Sequence, residues 1–135
     1  MIAIDTNVLV RVLVDDPGAM EQCRMARRLI ALHNSLWVNQ IVLIETIWVL
    51  QSCYQFEKAH IGLVLEKLIQ HPHIQLENDA EVKAGLEVFH QSNVGFADCM
   101  ILSDARQRQL QLYTFDRKLS ALGGVWDLAK VEVDG

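Results

Sequence analysis

Long apolar runs are scarce in this chain of 135 residues. The longest, from Ile41 to Leu50, is interrupted by Glu45 and falls well short of the roughly 20 apolar residues that span a bilayer. No basic stretch followed by an apolar segment marks the start, Met-Ile-Ala-Ile-Asp, so the expectation is a soluble, cytoplasmic protein with no secretory leader and no membrane partner. Cysteine is also scarce. Cys23, Cys53 and Cys99 are odd in number, widely spaced and in no C-x-x-C arrangement, which excludes a disulfide framework and predicts reduced, buried thiols. Of the five histidines, His71 and His73 flank Pro72 in an expected turn, while His33, His60 and His90 fall near helix ends. None has zinc-site spacing. Positive charge is in deficit, with a net charge of −5. That argues against a broad basic surface for nucleic acid, although bound cations reverse the sign locally.

The chain does have enough apolar content, 51% hydrophobic residues, for the core of one domain over residues 1–135. There is no internal repeat, linker or low-complexity stretch. Met1 to Ile4 reads as a short strand ending at Asp5-Thr6-Asn7, and Val8, Leu9, Val12 and Leu13 then recur at helical spacing as far as the break at Asp15-Asp16-Pro17-Gly18. A second amphipathic helix is predicted over about 19–33, a strand at Leu36-Trp37-Val38, and a third helix over 40–54 with Asn39 as its N-cap. That third helix has almost no polar face, so it is expected to be buried on several sides, in the core or against a second subunit. Further helices are expected over 57–70, from Asn78-Asp79 to about Gln91, and over about 97–109. Ile74 to Leu76 and Leu112 to Phe115 read as strands, Lys118 to Leu122 as a helical turn, and the tail from Val125 to Gly135 has room for one more strand. Strands alternating with helices imply an α/β fold with a mostly parallel central sheet and helices on both faces.

Four carboxylates stand at physically awkward places in this pattern. Asp5 and Asp116 each come directly after an apolar strand, and in parallel α/β sheets the ligand crevice lies outside the carboxyl ends of the strands. Both also suit the ordinary role of helix N-cap. Glu45 interrupts the apolar run of the third helix, where a buried glutamate without a partner costs several kcal/mol (of order 2 or more) or takes up a proton. Asp98 lies in the first turn of a helix among apolar neighbours, a position the helix dipole also favours. Gathered carboxylates repel one another unless a cation sits among them, and oxygen-only donors favour Mg²⁺ or Mn²⁺ over zinc. No Ser, Cys or His arrangement suggests a covalent nucleophile. Divalent ions that activate water and stabilise a departing oxygen make phosphodiester hydrolysis the best match. The basic clusters Arg24/Arg27/Arg28, Arg106/Arg108 and Arg117/Lys118 read as solvated helix faces when taken singly. With the acidic site accepted, they suit a nucleic-acid backbone.

In order and spacing, Ile4-Asp5-Thr6-Asn7-Val8-Leu9, Glu45 in its apolar helix, Phe96-Ala97-Asp98 and Thr114-Phe115-Asp116-Arg117-Lys118-Leu119 resemble the PIN-domain ribonucleases, and among them the VapC-type toxins of toxin–antitoxin pairs. The likeness covers nearly the whole chain, the stretch between Glu45 and Asp98 agreeing in pattern only. It implies a PIN-like α/β/α sandwich and Mg²⁺-dependent (or Mn²⁺-dependent) endonuclease action on RNA. It also implies inhibition by a cognate VapB-like antitoxin and pairing as a homodimer. Carried over by position, Asp5, Glu45, Asp98 and Asp116 would be the metal-holding quartet. Thr6, Asn7 and Thr114 would orient a carboxylate or a bound water beside it. The alternative is a catalytically silent module of the same fold that only engages an antitoxin or scaffold. A phosphotransfer protein is the third reading, and Asn7 stands where the dehalogenase type requires an aspartate.

Overall fold

The computed structural model describes residues 1–131. The chain forms two compact units, Met1–Asp79 and Ala80–Gly135.

In the first unit the order is β1 (Ile2–Ala3), α1 (Thr6–Leu13), a 3₁₀ turn at Pro17–Ala19, α2 (Met20–Leu32), β2 (Leu36–Val38), α3 (Gln40–Cys53), α4 (Lys58–Gln70) and β3 (Ile74–Leu76). The three strands form one sheet in the order β1-β2-β3, both pairings parallel, with Ala3 beside Trp37 and Val38 beside Leu76. Parallel pairing results from the helices between them, since each crossover returns the chain to the same end of the sheet. Leu36 and Val38 are fully enclosed, as are Leu9 of α1, Leu43 and Leu50 of α3, and Ile61 and Leu65 of α4. These are the apolar positions whose three- and four-residue spacing predicts the helices. Asn39 caps α3 as expected, its Oδ1 accepting from the Val42 amide at 2.8 Å.

The second unit runs α5 (Asp79–Gln91), α6 (Phe96–Gln107), β4 (Leu112–Thr114), α7 (Arg117–Ser120), β5 (Val125–Asp127) and a 3₁₀ turn at Leu128–Lys130. Its two strands form a separate parallel sheet. Gly85 of α5 lets the Met100 sulfur of α6 come so close that a Cβ at this position would collide with it. Ser103 Oγ donates to the Glu81 carbonyl at 2.9 Å, and the Phe89 and Phe96 rings meet edge to face, centroids 6.0 Å apart. These contacts fix α6, the helix that carries Asp98.

The α/β class and the parallel pairing hold throughout, and the fold is PIN-like. The tail holds its one further short strand at Val125–Asp127, and its residues from 132 onward lie outside the described residues. One expectation needs correction. Cys23 and Cys99 are buried, but Cys53 is exposed in the last turn of α3. Among the described residues no helix is long and apolar enough to cross a membrane.

Candidate metal centre

All three strands of the first sheet run the same way, so one edge collects the residues just beyond their carboxyl ends: Asp5 after β1, Asn39 after β2, Glu77 after β3. Asp5 caps α1, its Oδ1 accepting from the Val8 amide at 3.2 Å. This bond uses one carboxylate oxygen in an exposed side chain and leaves the other to a ligand. Thr6 is half-buried and Asn7 exposed in the first turn of α1. Asp5 and Asn7 line a groove of about 430 Å³ that Arg11 and, from α2, Met25 and Leu29 complete.

Glu45 is placed otherwise than its neighbours in sequence suggest. It is exposed, one turn after Ile41 and one before Trp48, which are themselves 68% and 65% exposed. The buried face of α3 is Val42, Leu43, Thr46, Ile47 and Leu50. The all-apolar helix therefore divides into a core face and an outward stripe that carries the acid. The burial expected of Glu45 does not arise, and its side chain needs no partner within the protein. Sequence reasoning misses Glu77, whose Oε1 accepts from the Gln40 amide at 3.1 Å. With Asn39 it fixes the start of α3 and so the position of Glu45. Its place just after a strand, the same signal that singles out Asp5, could have found it.

In the second unit, Asp98 is half-buried in the first turn of α6. Asp116 lies beyond β4 and caps α7, its Oδ1 accepting from the Leu119 amide at 2.8 Å. The Asp116 amide in turn donates to Thr114 Oγ1 at 3.0 Å, so Thr114 fixes the backbone that presents Asp116. Burial, and then the negative charge of Asp116, hold the Asp98 carboxyl above the ordinary carboxylate range. The structure thus brings Asp98 and Asp116 into electrostatic contact. Among the described residues none of the four acids is ion-paired to Arg, Lys or His, and no group of three His, Cys, Asp or Glu side chains is gathered for a metal ion.

The donor chemistry fits a hard divalent cation. Asp98 and Asp116 supply oxygen only, and the raised Asp98 is a carboxylate whose ionised form lacks a compensating positive charge. A cation held by these acids would offset the repulsion and favour the ionised form of Asp98.

The PIN domain family model matches residues 2–125. The chain belongs to the PIN domain family. The matched span takes in Asp5, Thr6, Asn7, Glu45, Asp98, Thr114 and Asp116. PIN domains are generally nucleases that use divalent metal ions. Among solved structures, a toxin–antitoxin complex from Klebsiella pneumoniae is similar to this PIN domain at 16% identity over 93% of this chain and 95% of that one, with a TM-score of 0.35. No curated protein matches the sequence.

Proposed function

We propose that this PIN domain is a Mg²⁺-dependent endoribonuclease, with Mn²⁺ as a substitute, and the toxin of a toxin–antitoxin module. Asp5, Glu45, Asp98 and Asp116 hold the metal, and residues 1–135 act as a single domain. The observation that carries the metal assignment is the pair Asp98–Asp116: a half-buried carboxylate held against a like charge with no cation supplied by the protein. Asp116 is also the cap of α7, but Asp98 has no hydrogen-bond or ion-pair partner among the described residues, and a neutral residue in its place would relieve the repulsion. A divalent ion there supplies charge for the phosphodiester oxygens and activates water.

The protein's own groups orient these donors. The Val8 and Leu119 amides hold one oxygen each of Asp5 and Asp116, so that both carboxylates are fixed before any ligand arrives. Thr114 fixes the Asp116 backbone, and Thr6 and Asn7 offer polar groups beside Asp5. The toxin assignment, with a cognate VapB-like antitoxin as partner and action in the cytoplasm, rests on the ordered motifs around the acids. A homodimer is supported by the outward Ile41 and Trp48 stripe of α3, an apolar surface of the kind that a symmetric interface covers.

The test is direct. Purified protein incubated with RNA should cut it when Mg²⁺ or Mn²⁺ is added and stop when a chelator is added. Cleavage that persists undiminished in chelator, or in an Asp98→Asn variant, would overturn the proposal.

A further inference from the structure

One face of the second unit's sheet carries exposed aromatic side chains. β4 and β5 pair in parallel with Tyr113 directly beside Trp126. Cα partners in a parallel pair send their side chains to the same face, while the residues before and after them point to the other. Leu112, Thr114, Val125 and Asp127 are half-buried, whereas Tyr113 and Trp126 are 49% and 47% exposed. Both side chains therefore leave the same open face of this sheet, one from each strand. Phe115, the next residue but one along β4, is 72% exposed, and Asp116 comes immediately after it.

Two kinds of occupant suit exposed aromatics on a sheet: a second copy of the chain, or unstacked nucleobases, which lie on aromatic rings whatever their sequence. Charge decides between them. Arg117, Lys118 and Lys130 are all exposed and in no ion pair among the described residues, whereas Arg108 is paired with Asp104, and this in a chain whose net charge is −5. This is the charge a phosphate backbone requires. Two copies placed face to face would set these cations against each other.

We infer that Tyr113 and Trp126 form a stacking platform for bases of single-stranded RNA, with Arg117 and Lys118 on the backbone phosphates. The inference rests on the ribonuclease reading and adds to it the side chains that engage the substrate's bases. Paired bases in a duplex cannot reach the rings, so a duplex should bind more weakly than the same strand alone.

The experiment measures binding of a fluorescent oligouridylate to the full chain in chelator, where cleavage is stopped, by anisotropy at several salt concentrations. Trp126→Ala and Tyr113→Ala should each weaken binding about 5- to 100-fold, the range for losing one base stack. Trp126→Phe and Tyr113→Phe, which keep a ring, should bind nearly as the parent does. Lys118→Gln should flatten the salt dependence by about 0.7 of a power of salt, one single-strand phosphate contact. If circular dichroism shows that an alanine variant is unfolded, the phenylalanine and Lys118→Gln results decide in its place. Unchanged affinity in folded alanine variants overturns the platform. If those variants still cleave RNA with Mg²⁺, the nuclease reading stands without it. Alanine variants that break a homodimer in sedimentation and leave RNA affinity intact assign the face to a second copy and also overturn it. A parent chain that neither binds nor cleaves RNA refutes the nuclease reading, and the platform falls with it.

Discussion

Asp16 in the first unit and Asp98 in the second are both aspartates beside the start of a helix, and the protein treats them in opposite ways. Around Asp16 gather the Tyr54 hydroxyl, donating at 2.6 Å, the Gly18 amide at 2.8 Å and the Arg11 guanidinium at 3.5 Å, which also donates to Tyr54 Oη at 2.9 Å. These hold its carboxyl below the ordinary range, the Tyr54 hydrogen bond most of all. Asp98 has burial and the charge of Asp116, and its carboxyl is held above that range. A carboxylate kept for structure is answered by the protein's own donors. Asp98 is left unanswered, as the proposed cation would require.

The comparison breaks first at Asp98→Asn. The substitution should lower metal-dependent RNA cleavage by about 100-fold or more, since it removes a ligand rather than a contact. The metal-free variant should also melt at or above the parent temperature at neutral pH. The sign comes from the raised carboxyl. Its folded state holds the proton more tightly than the unfolded chain, so the free protein is favoured at acid pH and loses that contribution as pH rises through the raised value. The gain from asparagine should therefore be present at neutral pH and vanish near pH 4. A lower melting temperature at neutral pH would mean that Asp98 has a structural partner after all.

Next in size is the effect of metal on stability. On the proposed reading Mg²⁺ or Mn²⁺ binds the folded chain and not the unfolded one, so the melting temperature should rise with metal concentration. That rise should be lost in Asp98→Asn and kept in Tyr54→Phe. Equal shifts in both variants would place the ion elsewhere. Thr114→Val removes the oxygen that accepts from the Asp116 amide while leaving every carboxylate in place. About a tenfold loss of metal affinity, read by calorimetry, is expected from losing an orienting partner.

The smallest effect belongs to the answered carboxylate. Tyr54→Phe removes the largest cause of the lowered Asp16 carboxyl and should cost a small, pH-dependent amount of stability with cleavage unchanged. Stability from a lowered carboxyl is present above its unfolded value of 3.8 and lost as pH falls through the folded one. The parent's advantage should hence be present at neutral pH and disappear in acid. Tyr54 itself is raised above 10.0, chiefly by the hydrogen bond to Asp16, so the parent should lose some of that advantage as pH rises beyond 10. Denaturant unfolding at several pH values checks both limits. A difference that persists unchanged at pH 2 would show that the hydroxyl matters for packing and not for the charge of Asp16.

Much of the molecule is legible in the residue order, and unevenly so. The helices from Thr6 to Leu13, Gln40 to Cys53 and Asp79 to Gln91 match the apolar spacing to within a residue or two. Asn39, Asp5 and Asp116 each accept from the amide three residues on and so cap a helix, as their types and positions indicate. The surroundings of Glu45 are not legible in this way. An apolar run of this length reads as buried on every side, and only the packing of Val42, Leu43, Ile47 and Leu50 against the rest of the unit shows which stripe remains outside. Glu77 is marked in the sequence only by its place after β3, and its partner Gln40 belongs to a different element that only the fold brings to it.

By itself, then, the sequence determined the order of strands and helices, the capping residues and the family, because these depend on periodicity and on hydrogen bonds that close over three or four residues. Tertiary structure alone decided that Asp98 faces the charge of Asp116, that Glu45 points outward between Ile41 and Trp48, and that Tyr113 lies beside Trp126. Each of these joins residues through strand register or helix packing, and both are set by which apolar faces exclude water together rather than by any local pattern.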